Sequence, residues 1–383
     1  MLPPSSSGTS LSPPPTLIEP SPDERRRWHE RRWVRVLVVV AFLVGGLIAS
    51  TFVVRVPYYA YSPGSLRPTP GLVQIEGAEV YPPEGEVLLT TVSVSRRRLT
   101  AWGAFLGWLD PTVTVVDEEV VVGPGLDREA TRQFNLQLMT SSKEVATYVA
   151  LDRLGYDVRL VGTGAVVVQV SEDTPADGVL EPGDTIVAVD GTPIELASEL
   201  VEAISSRSPG DEVLLGVEPM EGDGVDERRV SLGQRDDDPE AAFLGVAPAT
   251  RDGSFELPDE IEVEIQTNGV GGPSAGLTFT LTLLDLLTPG ELTGGRTIAA
   301  TGEIFVDGSI GPIGGVEQKA AAARRDGVDV FIVPASIPEN ELAAARRQAG
   351  DEVQIFEVST LDEALGVLES LGGEPLPVPQ PVG

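Results

Sequence analysis

Residues 261–290 read IEVEIQTNGVGGPSAGLTFTLTLLDLLTPG, and the fold turns on them. Ile261, Val263, Ile265 and Thr267 alternate with Glu262, Glu264 and Gln266, the period-two pattern of a half-buried strand. A glycine-rich run from Asn268 to Gly276 follows, and then the apolar stretch LTFTLTLLDLL, which Pro289 and Gly290 stop. The order of strand, tight loop and apolar helix sets Ser274 just before a helix N-terminus. Backbone N–H groups there can stabilise a developing negative oxygen. Glycines at 271, 272 and 276 let another backbone come close. The other role open to such a serine is a helix N-cap.

Outward from this stretch the alternation continues. Downstream, the pattern predicts a strand over 297–300, a hairpin turned at Asp307 and Gly308, a helix in VEQKAAAARRDG, a strand in DVFIVP, and two more helices flanking VQIFEV. Upstream, EGEVLLTTVSV reads as a strand and SKEVATYVALDRL as a helix from about residue 142 to 154.

Composition restricts the chemistry. The chain has 383 residues, no cysteine, and one histidine, His29, which precedes the most apolar segment. Disulfides, thiolate metal sites, cysteine nucleophiles and an imidazole base in the later domains are all excluded. With 59 acidic against 27 basic residues the formal net charge is -32, which argues against nucleic-acid binding. Neither a cofactor nor a metal site is expected.

Any base must therefore be unusual, and Lys319 stands out. The chain has two lysines, Lys143 and Lys319, among 27 basic residues. Arginine keeps its proton, whereas a desolvated lysine can lose it. Lys319 falls near the start of its helix, where the positive end of the macrodipole further disfavours the ammonium. A neutral Lys319 beside Ser274 would act as general base; a solvated lysine on an alanine-rich helix is the alternative.

Three motifs then line up: G-P-S-A-G at 272–276, T-G-E-I at 301–304 and P-I-G-G-x-x-x-K at 312–319. Their order and separation resemble the proteolytic domain of Lon proteases over about residues 256–371. The resemblance implies Ser274 as nucleophile, Lys319 as base, Thr301 as a support for the lysine, Gly272 and Pro273 as further supporting residues, and backbone amides around the serine as an oxyanion hole. One departure is Gly271, where many ATP-dependent Lon enzymes carry an acidic residue. No GxxxxGK[ST] motif occurs, so no ATPase motor is expected in this chain.

Between 162 and 232 the pattern changes to short β runs. VVVQV, then TPADGVLEPGDTIVAVDG, a helix with Leu196, Leu200, Val201 and Ile204 on one face, and PGDEVLL resemble a bacterial PDZ domain. That resemblance implies strand addition of a peptide beside Gly164, Ala165, Val166, Val167 and Val168, against the helix carrying Leu200 and Ile204.

Nineteen uncharged residues lie between Arg35 and Arg55, close to the ~20 needed to span a bilayer. Five arginines at 25–27, 31 and 32 precede them, so the positive-inside bias places the N-terminus in the cytoplasm. A cleaved signal peptide competes with this reading, but the apolar run exceeds the usual length and no clean A-x-A site follows. Residues 1–55 carry seven arginines and four carboxylates, which leaves the exported part at about -35. That charge favours solubility and repels anionic partners; a salt-adapted proteome would explain it equally.

The expectation is a multidomain α+β protein. A disordered cytoplasmic tail at 1–33 leads into a single transmembrane helix at 34–55. Residues 56–157 are expected to form either the first half of a split Lon-type α/β catalytic domain, completed by 240–372, or a small independent domain. A β-rich, partly open PDZ barrel with helices occupies 158–235, and 373–383 is a flexible tail. Anchor, PDZ and Lon-type parts together resemble the membrane-anchored PDZ-Lon proteases of the bacterial cell membrane. The implied activity is an ATP-independent serine endopeptidase that acts on extracytoplasmic polypeptides with flexible or apolar tails. The rival function is an inactive PDZ adaptor on a protease fold, and a homo-oligomer is compatible with either. The lack of any histidine after His29 excludes HtrA-type proteases, and the missing HExxH excludes site-2 metalloproteases.

Overall fold

The computed structural model describes residues 22–123, 127–222, 224–234, 238 and 240–377. The expected tails at 1–21 and 378–383 lie outside the described residues. A helix runs over Pro22–Thr51, so residues 22–33 are helical and not the unstructured tail expected from composition. The apolar span propagates its hydrogen bonding backward through residues of good helix propensity, and Pro22 occupies the first-turn position that suits it. Its stretch Trp33–Thr51, 19 residues, is long and apolar enough to cross a membrane.

The larger body is a six-stranded sheet in the spatial order Gln354–Val358, Val330–Pro334, Thr297–Ala300, Glu86–Val94, Tyr58–Pro68 and Thr114–Asp117. The first four strands are parallel and the last two are antiparallel additions. Alternation along the parallel strands feeds two cores. Val87, Leu89, Ile298, Ala300, Val330 and Ile332 pack with the helices Arg128–Arg153, Gly276–Leu287 and Leu361–Ser370. Leu88, Ala299, Phe331 and Val333 turn to the other face, under Val316–Arg325 and Glu339–Ala349.

The strand Glu86–Val94 lies between Thr297–Ala300 and Tyr58–Pro68, so residues from both sides of the PDZ-like stretch build one sheet and one core. The helix expected from about 142 begins at Arg128, because the Asp127 side chain accepts the Ala130 N–H and caps it there. The strand Glu262–Ile265 pairs with Val73–Glu76, and Glu303–Ile304 pairs with Ile310–Gly311 around the turn expected at Asp307 and Gly308.

The smaller unit is an antiparallel sheet ordered Asp226–Ser231, Glu212–Glu218, Thr185–Val189, Ala165–Val170 and Val246–Thr250, with the helix Ala197–Ser205. Leu200, Ile204, Val167 and Ile186 are buried in its core. It joins the larger body through an antiparallel pair, Arg159–Val161 with Ser254–Glu256. Residues 242–250 thus pair within the smaller unit, whereas the sequence placed its end at 235 and assigned 240 onward to the catalytic part. Without the tertiary partner, two short runs interrupted by Gly245 and Pro248 carry no clear strand signal.

Because Val161 sits opposite Ser254 across the stem, excising 162–253 and closing the gap with Asn-Gly is expected to leave one cooperative melting transition for the remaining chain. Loss of that transition by calorimetry would show that the two units fold only together.

Candidate active site

Ser274 is held by its own turn and by two distant segments. Its carbonyl accepts the Gly302 N–H and the Thr301 hydroxyl, each at 3.0 Å, and the Gly302 carbonyl accepts the Leu277 N–H at 3.0 Å. The contact needs glycine on both sides. A Cβ on Gly276 would meet Ile304 N at 2.8 Å, and one on Gly302 would meet Leu277 Cβ at 3.3 Å and Ile310 Cγ2 at 2.7 Å. From the other side, Ser142 Oγ donates to the Pro273 carbonyl at 2.9 Å and Gly272 N–H donates to the Asn135 carbonyl at 2.8 Å. Gly272, with φ 99°, makes the sharp bend that glycine tolerates. Gly271 lies against the same helix: a Cβ there would come within 3.0 Å of Asn135 Cβ and 3.1 Å of its carbonyl. A side chain at 271 therefore conflicts with the close approach of Arg128–Arg153.

The helix Gly276–Leu287 starts two residues beyond Ser274 and is buried throughout. Its threonines satisfy their hydroxyls locally: Thr278 donates to the Ala300 carbonyl, and Thr280 and Thr282 donate to carbonyls four residues back. The amides of Ser274 and Ala275 have no hydrogen-bond acceptor among the described residues. Two free donors beside a helix N-terminus are the elements of an oxyanion site.

Lys319 lies in the first turn of Val316–Arg325 and is 3% exposed. Its Nζ donates to Ser274 Oγ at 3.0 Å and to Thr301 Oγ1 at 2.9 Å. Thr301, fully buried, donates its hydroxyl hydrogen bond to the Ser274 carbonyl. Burial lowers the Lys319 pKa from 10.5 to about 7. The amine is thereby available as an unprotonated base near neutral pH, hydrogen-bonded to the hydroxyl it would deprotonate.

A groove of about 1010 Å³ opens on Ser274 and Lys319. One wall is the strand segment 90–94. Thr297–Ala300 pairs only with residues 86–89, so beyond Leu89 this edge has no strand neighbour in the sheet. Asn135, Leu136 and Met139 form part of the opposite wall. Thr90, buried at the root of the open edge, has an unpartnered hydroxyl. Asn135, Ser142 and Thr90 are not visible as site residues in sequence, since they lie far from the serine loop along the chain and no motif marks them.

The residues assigned to peptide capture are placed differently from expectation. The strand Ala165–Val170 has neighbours on both edges, Thr185–Val189 and Val246–Thr250, so Gly164, Ala165, Val166, Val167 and Val168 cannot accept an added strand. Leu200 and Ile204 are buried in the small core. Of the sheet's two marginal strands, Asp226–Ser231 and Val246–Thr250, the second is tied to the helix Ala197–Ser205 by the Ala197 N–H donating to Thr250 Oγ1 at 3.0 Å.

Residues 260–370 match the family described as the Lon protease (S16) C-terminal proteolytic domain, and residues 152–222 match the PDZ domain. The Lon protease of Chloroflexus aggregans is 33% identical over 129 residues, 33% of this chain and 15% of that protein. The Lon protease of Anaeromyxobacter dehalogenans is 36% identical over 115 residues, 29% of this chain and 13% of that protein. The PDZ domain of an SdrC-like protein from Listeria monocytogenes is 26% identical, with 22% of this chain and 87% of that chain covered at a TM-score of 0.21. The chain carries a Lon-type proteolytic domain and a PDZ domain, and it spans about one seventh of the length of those Lon proteases.

Holding a neutral amine in the fold has a stability signature. Between pH 7 and about 10 the unfolded chain binds one more proton at Lys319 than the folded chain does, so stability attributable to this group rises with pH across that window. Replacing Lys319 with Met is expected to raise the melting temperature at pH 7–8 and to flatten this pH dependence. An unchanged pH–stability profile would show that Lys319 is not desolvated in solution.

Proposed function

We propose that this chain is a membrane-anchored serine endopeptidase that works without ATP through a Ser274–Lys319 dyad. The Nζ to Oγ contact of 3.0 Å, made by an amine whose pKa burial brings to about 7, carries this reading. Lys319 takes the Ser274 proton as Oγ attacks the scissile carbonyl, and the amides of Ser274 and Ala275 receive the oxyanion. The protonated amine then returns its proton to the leaving nitrogen, and the acyl-enzyme is hydrolysed by water that Lys319 activates in turn. Thr301 fixes the amine through both steps. An extended substrate fits the open edge at 90–94, whose unpaired backbone groups supply strand-like hydrogen bonds independent of side-chain identity.

The PDZ domain selects clients at the edge Val246–Thr250, and its stem joins the catalytic half-domains at the end of the helix that holds Pro273. With a cytoplasmic N-terminus and the folded part beyond Arg55 outside, clients are extracytoplasmic or membrane-tethered polypeptides with flexible tails. Without a motor, folded clients are not pulled apart.

Turnover of casein by the detergent-solubilised full chain without nucleotide tests the reading. Ser274→Ala and Lys319→Arg are expected to abolish it, and Thr301→Val to lower kcat by about 10- to 100-fold. Activity should rise with pH through about 7 to a plateau, because only the deprotonated amine can accept the serine proton. Normal turnover by Lys319→Arg would remove the lysine from the mechanism.

A further inference from the structure

The helix Ala101–Leu109, sequence AWGAFLGWL, is built inside out. Its small residues Ala104 and Gly107 are the buried ones, and a Cβ on Gly107 would meet Val115 Cγ2 at 2.8 Å. The large residues Trp102, Phe105, Leu106, Trp108 and Leu109 are 38% to 65% exposed. A surface helix of a water-soluble domain turns its large apolar side chains inward. A contiguous outward patch of this kind marks an interaction surface.

Its position identifies the partner. The helix follows directly on contacts with the end of the anchor: Ala101 N–H donates to the Val54 carbonyl at 3.0 Å, Val56 N–H to the Leu99 carbonyl at 2.9 Å, and Phe52 stacks on Trp102 at 5.3 Å, with Phe105 5.5 Å beyond. The span Trp33–Thr51 covers about 28 Å as a helix, close to the ~30 Å hydrocarbon core, so Phe52 falls at the membrane–water boundary. Trp102 is held at the same level, the depth that tryptophan favours. The sequence just before the helix is Arg96-Arg97-Arg98, all exposed, with Arg55 also exposed. Arg98 is paired with Glu118 at 2.6 Å, and Arg96, Arg97 and Arg55 remain as a local reversal of sign in a chain with 59 acidic residues, suited to anionic head groups.

We propose that Ala101–Leu109 and the arginines at 96 and 97 form a second membrane contact, an interfacial helix lying in the outer surface of an anionic lipid bilayer. This rests on the anchor reading above. Val94 and Arg96 line the groove that contains Ser274, so the contact holds the groove beside the lipid surface and favours client segments close to the membrane.

The full chain with Trp28→Phe and Trp33→Phe retains two tryptophans, Trp102 and Trp108. In vesicles of phosphatidylcholine with phosphatidylglycerol, their emission is expected to be blue-shifted and quenched several-fold more by lipid brominated near the head group than by aqueous acrylamide. Adding Arg96→Gln and Arg97→Gln, or omitting phosphatidylglycerol, should weaken the lipid quench. Emission at the aqueous position with strong acrylamide quenching overturns the inference. So does a blue shift that grows with protein-to-lipid ratio without lipid quenching, which would assign the face to a second copy. Flotation of the same vesicles separates the two readings. Protein that does not float overturns anchor and interfacial helix together, whereas floating protein with water-exposed tryptophans overturns the interfacial helix alone.

Discussion

A lysine amine that is 3% exposed, with burial as the sole cause of its lowered pKa, is the constraint around which this structure is arranged. Shifting the pKa from 10.5 to about 7 corresponds to roughly 5 kcal/mol against the ammonium form. Among the described residues no carboxylate answers that charge; the amine has two hydroxyl partners instead. The fold must therefore supply enough packing to hold Lys319 out of water and enough precision to keep it on Ser274. Its helix is anchored by Val316, Ala320 and Ala323 against Leu88, Ala299 and Phe331, and these residues belong to one buried cluster.

Precision comes from backbone contacts that glycine alone permits. Ser274, Leu277 and Gly302 exchange hydrogen bonds between the serine turn and the segment bearing Thr301. The approach leaves no room for side chains at 276 or 302. Asn135 and Ser142 pin the opposite side of the turn, so Ser274 is fixed by residues that precede and follow the PDZ domain in the chain. The geometry around Ser274 is thus a property of the assembled sheet and not of the serine loop by itself.

Apolar helix, groove and PDZ stem meet the same sheet through different elements. Tyr58–Pro68 follows the helix Pro22–Thr51 in the chain and pairs with Glu86–Val94, whose free edge lines the groove. The stem at Arg159–Val161 follows the long helix Arg128–Arg153, which touches the serine loop. The apolar helix and the PDZ domain are thus each joined to the sheet and the helix that flank Ser274.

Local pattern alone determined the strand, glycine loop and helix around Ser274, the alternation that follows, the special standing of Lys319 in a chain with two lysines, and the apolar span, because each is a signal contained within about 20 residues. It also carried the β-rich character of the PDZ domain, but not its open edge. Whether Ala165–Val170 or Val246–Thr250 lies at the margin depends on which distant strand pairs with which, and that information is not in either segment. The same holds for Asn135, Ser142 and Thr90, ordinary residues made specific by what packs against them. The outward face of Ala101–Leu109 is the clearest case. Its sequence is apolar all round and reads as core, and only the packing of Ala104 and Gly107 on the sheet decides that the tryptophans face away from the protein.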